Sequence, residues 1–136
     1  LAEFFLNHLR ARQVVQGFQD VYFCPLYAGH LSSTLIAMLG KGMSGLFHVV
    51  SPSALSKFTF GQKLAERYGL DARLIQPISV KDSGLIAPRS QNLTLKIDKL
   101  IQELGYQLPD MSDGIDAFFT AEKDGLATRI KQIAGQ

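Results

Sequence analysis

The sequence predicts an α/β fold in which helices alternate with a few short strands, too few to build a large sheet of their own. Three observations carry this expectation. Apolar residues recur at helical spacing in five separate stretches, short β-branched and aromatic runs stand between them, and Gly, Pro and Ser residues punctuate the boundaries. The 136 residues suffice for one domain with a real core and leave little room for a second.

The elements follow in chain order. Leu1, Phe4, Phe5 and Leu9 mark an amphipathic helix over residues 1 to 12. Gln13–Phe18, with Val14 and Val15, reads as a short strand ending near Gly17. Asp20–Tyr27 reads as a loop, because Pro25 argues against a central strand. Leu31, Leu35, Ile36 and Leu39 define a second helix that Gly40 and Gly42 end. Leu46–Val50 is a β-branched and aromatic run between Gly45 and Ser51-Pro52, and is expected as a buried strand. Ser56 caps a third helix through Phe60, Leu64 and Tyr68, closed by Gly69. Leu74–Val80 is extended but interrupted by Pro77, and Lys81–Asn92 is polar and turn-rich. Ile97, Leu100, Ile101 and Leu104 form a fourth helix stopped by Gly105. Ser112 is expected to cap a last helix presenting Ile115, Phe118 and Phe119 on one face, with residues 121–136 as a frayed tail.

Composition narrows the function classes. A hydrophobic fraction of 46% with 19% charged residues is that of a globular chain. The 14 basic and 12 acidic residues are interspersed, and no basic run suited to a phosphate backbone occurs, which argues against nucleic acid as a partner. The single Cys24 forms no internal disulfide or cysteine zinc cluster, and its apolar surroundings suggest a buried, inert thiol. No apolar run approaches the roughly 18 residues of a membrane span, and the start lacks a signal peptide's basic residues. The expectation is a cytoplasmic chain without a membrane partner. It begins at Leu1 inside a helical pattern, which reads as a cut edge.

Several motifs fail on context. Gly40-Lys-Gly-Met-Ser-Gly45 matches G-x-G-x-x-G, but a dinucleotide fingerprint needs a strand before it and a helix N-terminus after it. Here a helix leads in and a strand is expected to lead out, so a helix-stop turn is the better reading. His8, His30 and His48 lack ligand spacing and acidic partners, so no metal site is expected, and His48 reads as a hydrogen-bonded core residue. There is no G-x-S-x-G nucleophile elbow, and no tyrosine is followed four residues later by lysine. No catalytic or cofactor-binding residue is therefore expected in this chain. Arg89 stands apart, in a small, polar loop just before Gln91 and Asn92. A guanidinium beside amide side chains suits bidentate binding of phosphate oxygens, and the alternative is a solvated surface arginine.

The order of these pieces is similar to the C-terminal portion of the dTDP-4-dehydrorhamnose reductase family, extended short-chain dehydrogenases of the NAD-dependent epimerase/dehydratase type. The resemblance runs through Gly17-Phe-Gln-Asp20, Pro25 and His30-Leu31, then Gly45-Leu-Phe-His48 and Ser56-Lys-Phe-Thr-Phe60. It continues in Ala87-Pro-Arg89-Ser-Gln-Asn92-Leu-Thr-Leu95, similar to the family's Ala-x-Arg-Pro-x-Asn-x-x-Leu segment, and covers residues 1 to about 120. Ser90 replaces the family's usual proline, Leu26 its threonine, and Leu93 a common serine, which bears on the exact substrate.

The resemblance implies that residues 1–136 are one substrate-binding lobe of a larger two-lobed protein. In such enzymes a Rossmann half, absent here, binds NAD or NADP and carries the Tyr/Lys pair. The lobe closes over a nucleotide sugar, with Arg89 near the diphosphate, Asn92 beside it, and Gln19 and Asp20 bordering the cleft, unless Asp20 serves to cap its turn. The parent then reduces a 4-keto sugar nucleotide such as dTDP-4-dehydrorhamnose, or epimerises or dehydrates one, and the lobe alone catalyses nothing. The alternative is a regulatory or interaction subunit of the same fold without catalysis. A lobe parted from its Rossmann half is expected to expose an apolar face and to form a homodimer through the residue 1–12 helix or strand edges.

Overall fold

The computed structural model describes residues 1–134. Helix α1 (Ala2–Arg10) leads into strands β1 (Val15–Phe18) and β2 (Tyr22–Phe23), followed by α2 (Ala28–Gly40). Strand β3 (Leu55–Ser56) runs directly into α3 (Lys57–Tyr68), and β4 (Ile75–Ile78) lies between two short 3-10 turns. After β5 (Asn92–Leu93) come α4 (Asp98–Leu104), α5 (Met111–Lys123) and α6 (Leu126–Ala134). This is the mixed α/β arrangement expected, with its strands in two small sheets. One is the parallel pair β1–β4, in register Val15↔Ile75 to Phe18↔Ile78. The other has the order β3-β2-β5, with β2 antiparallel to β3 and parallel to β5.

The main core forms where α1 and α3 cover the β1–β4 pair. Phe5, Leu6 and Leu9 of α1 meet Phe60, Leu64 and Ala65 of α3 over Val15 and Ile75, with Met111 and Ile115 of α5 closing the side. Two glycines make this approach possible. A Cβ at Gly17 in β1 would stand 2.8 Å from the Phe58 Cα, and one at Gly61 in α3 would stand 2.8 Å from the Phe5 ring. The Ser56 hydroxyl caps α3 by accepting from the Thr59 amide at 3.1 Å, and Gly69, at φ 63°, ends it. A second cluster gathers Ile97, Leu100, Leu104 and Leu108 around the residues after α2.

Several local expectations change. Leu46–Val50 is not a strand: it crosses the second cluster as irregular chain, with Phe47, Val49 and Val50 half-buried and Leu46 81% exposed. Its β propensity goes unused, since no strand pairs with it. Tyr22–Phe23 is the central strand of the small sheet, but it stops before Pro25, so the proline excludes pairing only beyond Phe23. Pro77 sits inside β4 rather than interrupting it, because β4 is paired on one side only and its other edge needs no N–H. The α5 cap is Asp110, not Ser112; its carboxylate accepts from the Ser112 and Asp113 amides while Asp113 accepts from the Asp110 amide. Residues 121–123 complete α5 and α6 runs as far as Ala134, while residues 135–136 lie outside the described span.

Helix α2 is the anomaly in packing. It contains no Asp, Glu, Lys or Arg, yet buries only Thr34 fully. Leu35, Ile36 (70%) and Leu39 (79%) are exposed along one side. Helix α1 spends Phe5, Leu6 and Leu9 on the core and leaves Phe4 exposed. No helix among the described residues is long and apolar enough to cross a membrane.

The close packing predicts that Gly17→Ala costs about 1–3 kcal/mol, since the neighbour at the clash is backbone. Leu64→Ala should cost about 2–5 kcal/mol by leaving a cavity; urea unfolding followed by circular dichroism measures both. Asp71, held by the Arg73 side chain and amide, should titrate at about 2 rather than 3.8. Because its folded value is depressed, its contribution to stability is complete above the ordinary value and is lost as pH falls through about 2. Carboxyl NMR titration checks this directly.

Candidate functional site

The sheet register builds the site. After Phe18 the chain leaves β1 two residues before Asp20, and after Ile78 it leaves β4 one residue before Ser79. The Gln19 amide donates to the Ile78 carbonyl at 3.0 Å, which carries the pairing one step past the strand ends. Asp20 therefore faces the start of the 3-10 turn after β4. Its Oδ2 accepts from the Ser79 hydroxyl at 2.6 Å and its Oδ1 from the Val80 amide at 2.9 Å. A third donor arrives from far along the chain, the Gln91 side-chain amide at 2.8 Å. The Ser79 hydroxyl, then the Val80 amide, and more weakly Gln91 hold the carboxyl below its ordinary pKa of 3.8, against a smaller opposing effect of burial.

Gln91 is fixed on its backbone as well, where its carbonyl accepts from the Tyr22 amide at 2.8 Å. Next to it, Asn92 opens β5, and its Oδ1 accepts from the Thr94 amide at 3.0 Å and the Thr94 hydroxyl at 2.7 Å. Asp20, Tyr22, Gln91, Asn92 and Thr94 line an open cleft of 480 Å³. A second hollow of 450 Å³ lies across the β1–β4 pair, walled by Phe4, His8, Val14, Phe18, Gln76 and Leu85.

The four residues singled out in the sequence separate in space. Asp20 and Asn92 share the polar cleft. Gln19 adjoins it in the chain with an exposed side chain, its backbone committed to the sheet. Arg89 is exposed on the loop between Val80 and Gln91, and makes no side-chain hydrogen bond or ion pair among the described residues. Sequence reasoning missed Ser79, Tyr22 and Thr94. Thr94 follows Asn92 at the spacing of an Asx turn and was findable. Ser79 was not, because its proximity to Asp20 exists only once β1 and β4 pair.

A cavity of 540 Å³ between α1, α2, α5 and α6 contains none of the four. Its cation, Arg10, is engaged by both Glu122 oxygens at 2.9 and 3.1 Å, so it presents no free charge to an anion. The Tyr68 hydroxyl is buried near the Glu122 carboxylate, and burial, then that carboxylate, push its pKa well above the usual value. The polar cleft is lined by the Asp20 carboxylate, the Gln91 and Asn92 amides and the Tyr22 and Thr94 hydroxyls, and Arg89 is not among its lining residues.

The remaining motifs resolve structurally. The Gly40–Gly45 segment closes α2: the Gly42 amide donates to Leu39 and the Met43 amide to Met38, a Schellman arrangement with Gly42 at φ 63°. These amides face a helix C-terminus and offer no seat for a dinucleotide pyrophosphate. His48 is hydrogen-bonded to the Lys96 carbonyl at 3.2 Å, but it is exposed rather than in the core. Cys24 is half-buried rather than buried. Among the described residues no three His, Cys, Asp or Glu side chains are grouped to hold a metal ion.

Comparison with known proteins gives this geometry a family. The family model described as the RmlD substrate binding domain matches residues 1–123. The probable low-salt glycan biosynthesis reductase Agl14 of Haloferax volcanii is 34% identical over 116 residues, covering 85% of this chain and 39% of that protein. The dTDP-4-dehydrorhamnose reductase of Bacillus anthracis, solved with NADP, superposes with a TM-score of 0.81 at 19% identity, covering 88% of this chain and 42% of that one. A Clostridium acetobutylicum dTDP-4-dehydrorhamnose reductase gives 0.81 at 12% identity, covering 90% and 44%. The structural likenesses establish the fold, and the chain spans less than half the length of each relative. The family model and the Agl14 match together place this chain in the RmlD substrate-binding domain family.

Proposed function

We propose that this chain is the nucleotide-sugar-binding lobe of an NAD(P)-dependent reductase acting on a 4-keto sugar nucleotide such as dTDP-4-dehydrorhamnose. The observation that carries the reading is the Arg89 guanidinium, uncommitted among the described residues, on a loop whose two ends are tied at Asp20 beside a cleft of amides and hydroxyls. Arg89 grips the diphosphate in a bidentate manner, and Asn92 and Gln19 border the nucleotide sugar. Family membership supports this assignment, as does the reductase activity for which the relatives are named.

NAD or NADP belongs to an N-terminal Rossmann half, which supplies the hydride and the proton that this lobe has no groups to deliver. The charge-free side of α2, through Leu35, Ile36 and Leu39, is the surface that meets that half. The parent protein works in the cytoplasm, and the lobe alone binds without reducing.

Two measurements test this reading. Isothermal titration with dTDP should detect binding that Arg89→Ala weakens by about 10- to 100-fold, the worth of a charge-assisted phosphate contact. The same protein should show no oxidation of NADPH or NADH with dTDP-4-dehydrorhamnose; measurable turnover would overturn the assignment of the chemistry to another half. Separately, the exposed α2 side should drive self-association at micromolar concentration, and Leu35→Glu with Leu39→Glu should abolish it in sedimentation without altering the helical circular dichroism.

A further inference from the structure

We infer that Asp20 is a positioning residue for the Arg89 loop, a carboxylate clamp fastening both ends of residues 81–90, and not a contact to the ligand. The inference rests on the reading that this loop binds the diphosphate, and it adds how the loop is held.

One carboxylate receives the last hydroxyl and amide before the loop, from Ser79 and Val80, and the first side-chain amide after it, from Gln91. The two sides of the loop are otherwise joined through separate strands: Ser79 follows β4, which pairs with β1, and Gln91 precedes β5, which pairs with β2. Asp20 lies in the turn between β1 and β2, and so bridges the two sheets as well as the two loop ends. The loop between carries the exposed Leu85, Ile86 and Arg89 and has little packing of its own to hold it. Its order thus depends on its anchors.

The chemistry of the clamp requires an ionised aspartate. Three donors converge on two oxygens, and an asparagine would present one acceptor and turn an N–H₂ toward donors. A carboxylate aimed at a diphosphate would repel it, whereas one engaged by three donors serves the site by fixing the loop that carries the cation. Such fixing lowers the ordering cost that binding would otherwise meet. The bond across the loop ends can also be made in the opposite sense. Asp20→Asn combined with Gln91→Glu exchanges donor and acceptor. The amide introduced at position 20 then donates one N–H to the carboxylate introduced at position 91 and the other to the Ser79 hydroxyl, which turns to accept, while its oxygen still accepts from the Val80 amide.

The test uses the 136-residue chain, with dTDP as probe and backbone ¹⁵N relaxation as the readout of loop order. Asp20→Asn should lower the heteronuclear NOE of residues 81–91 while leaving the α1 and α3 amides unchanged, and should weaken dTDP binding about threefold to tenfold. The exchanged pair should recover both. Should Asp20→Asn fail to fold, Ser79→Ala removes a single donor and should loosen the start of the loop. Unchanged relaxation in the loop overturns the clamp, and a loosened loop with unchanged dTDP affinity overturns its role in binding. If the parent sequence binds no dTDP at all but Asp20→Asn still loosens residues 81–91, the diphosphate reading fails and the clamp stands.

Discussion

At Gly17 the backbone of β1 meets the first turn of α3 so closely that no side chain fits between them, and at Gly61 the same helix receives the Phe5 ring. These two approaches set the height of α3 above the β1–β4 pair and seat α1 against it. The rest of the molecule takes its position from that contact. β1 is held in place under α3, β4 is held by β1, and the residues leaving the two strands, Asp20 and Ser79, are thereby delivered to each other. The polar cleft is thus a by-product of core packing: its registry is decided by apolar residues and two glycines that do not line it.

Local signals in the sequence are reliable wherever the physics is local. Ser56 and Gly69 bracket α3 because a hydroxyl cap and a left-handed glycine act within one turn. Gly42 and Gly105 stop their helices for the same reason. Reading Gly40–Gly45 as a stop rather than a cofactor loop needs only the order of neighbouring elements. The misreadings involve partners that are distant. Leu46–Val50 has strand composition but finds no strand to pair with, and Pro77 is tolerated because of which edge of β4 is free. Asp110 outcompetes Ser112 as the α5 cap by forming a reciprocal pair with Asp113, and that pair was legible in the residues three apart.

The candidate site divides in the same manner. Arg89 and Asn92 were visible as a cation and an amide in a turn-rich loop, and the family resemblance ordered them. Asp20 was visible as a residue bordering the cleft, but its partners were not, since two of the three lie about sixty residues away and the third about seventy. Helix α2 shows the converse. Its lack of charge is plain in the sequence, but helical periodicity alone assigns such a helix to a core, and only packing reveals that most of its apolar side faces outward.

The parallel register of β1 and β4 also constrains how the chain reaches its native state. Val15 pairs with Ile75, so the sheet closes a loop of sixty residues, which by logarithmic loop entropy costs about 3–4 kcal/mol before any contact rewards it. During synthesis β1 has no β4 to pair with until the α2 and α3 segments between them have emerged. The pairing that organises the site is consequently a late event in folding, and a slow one for a domain of this size. A chain arrested before Ile78 would hold only the α1, α2 and α3 segments and lack the register on which Asp20 depends.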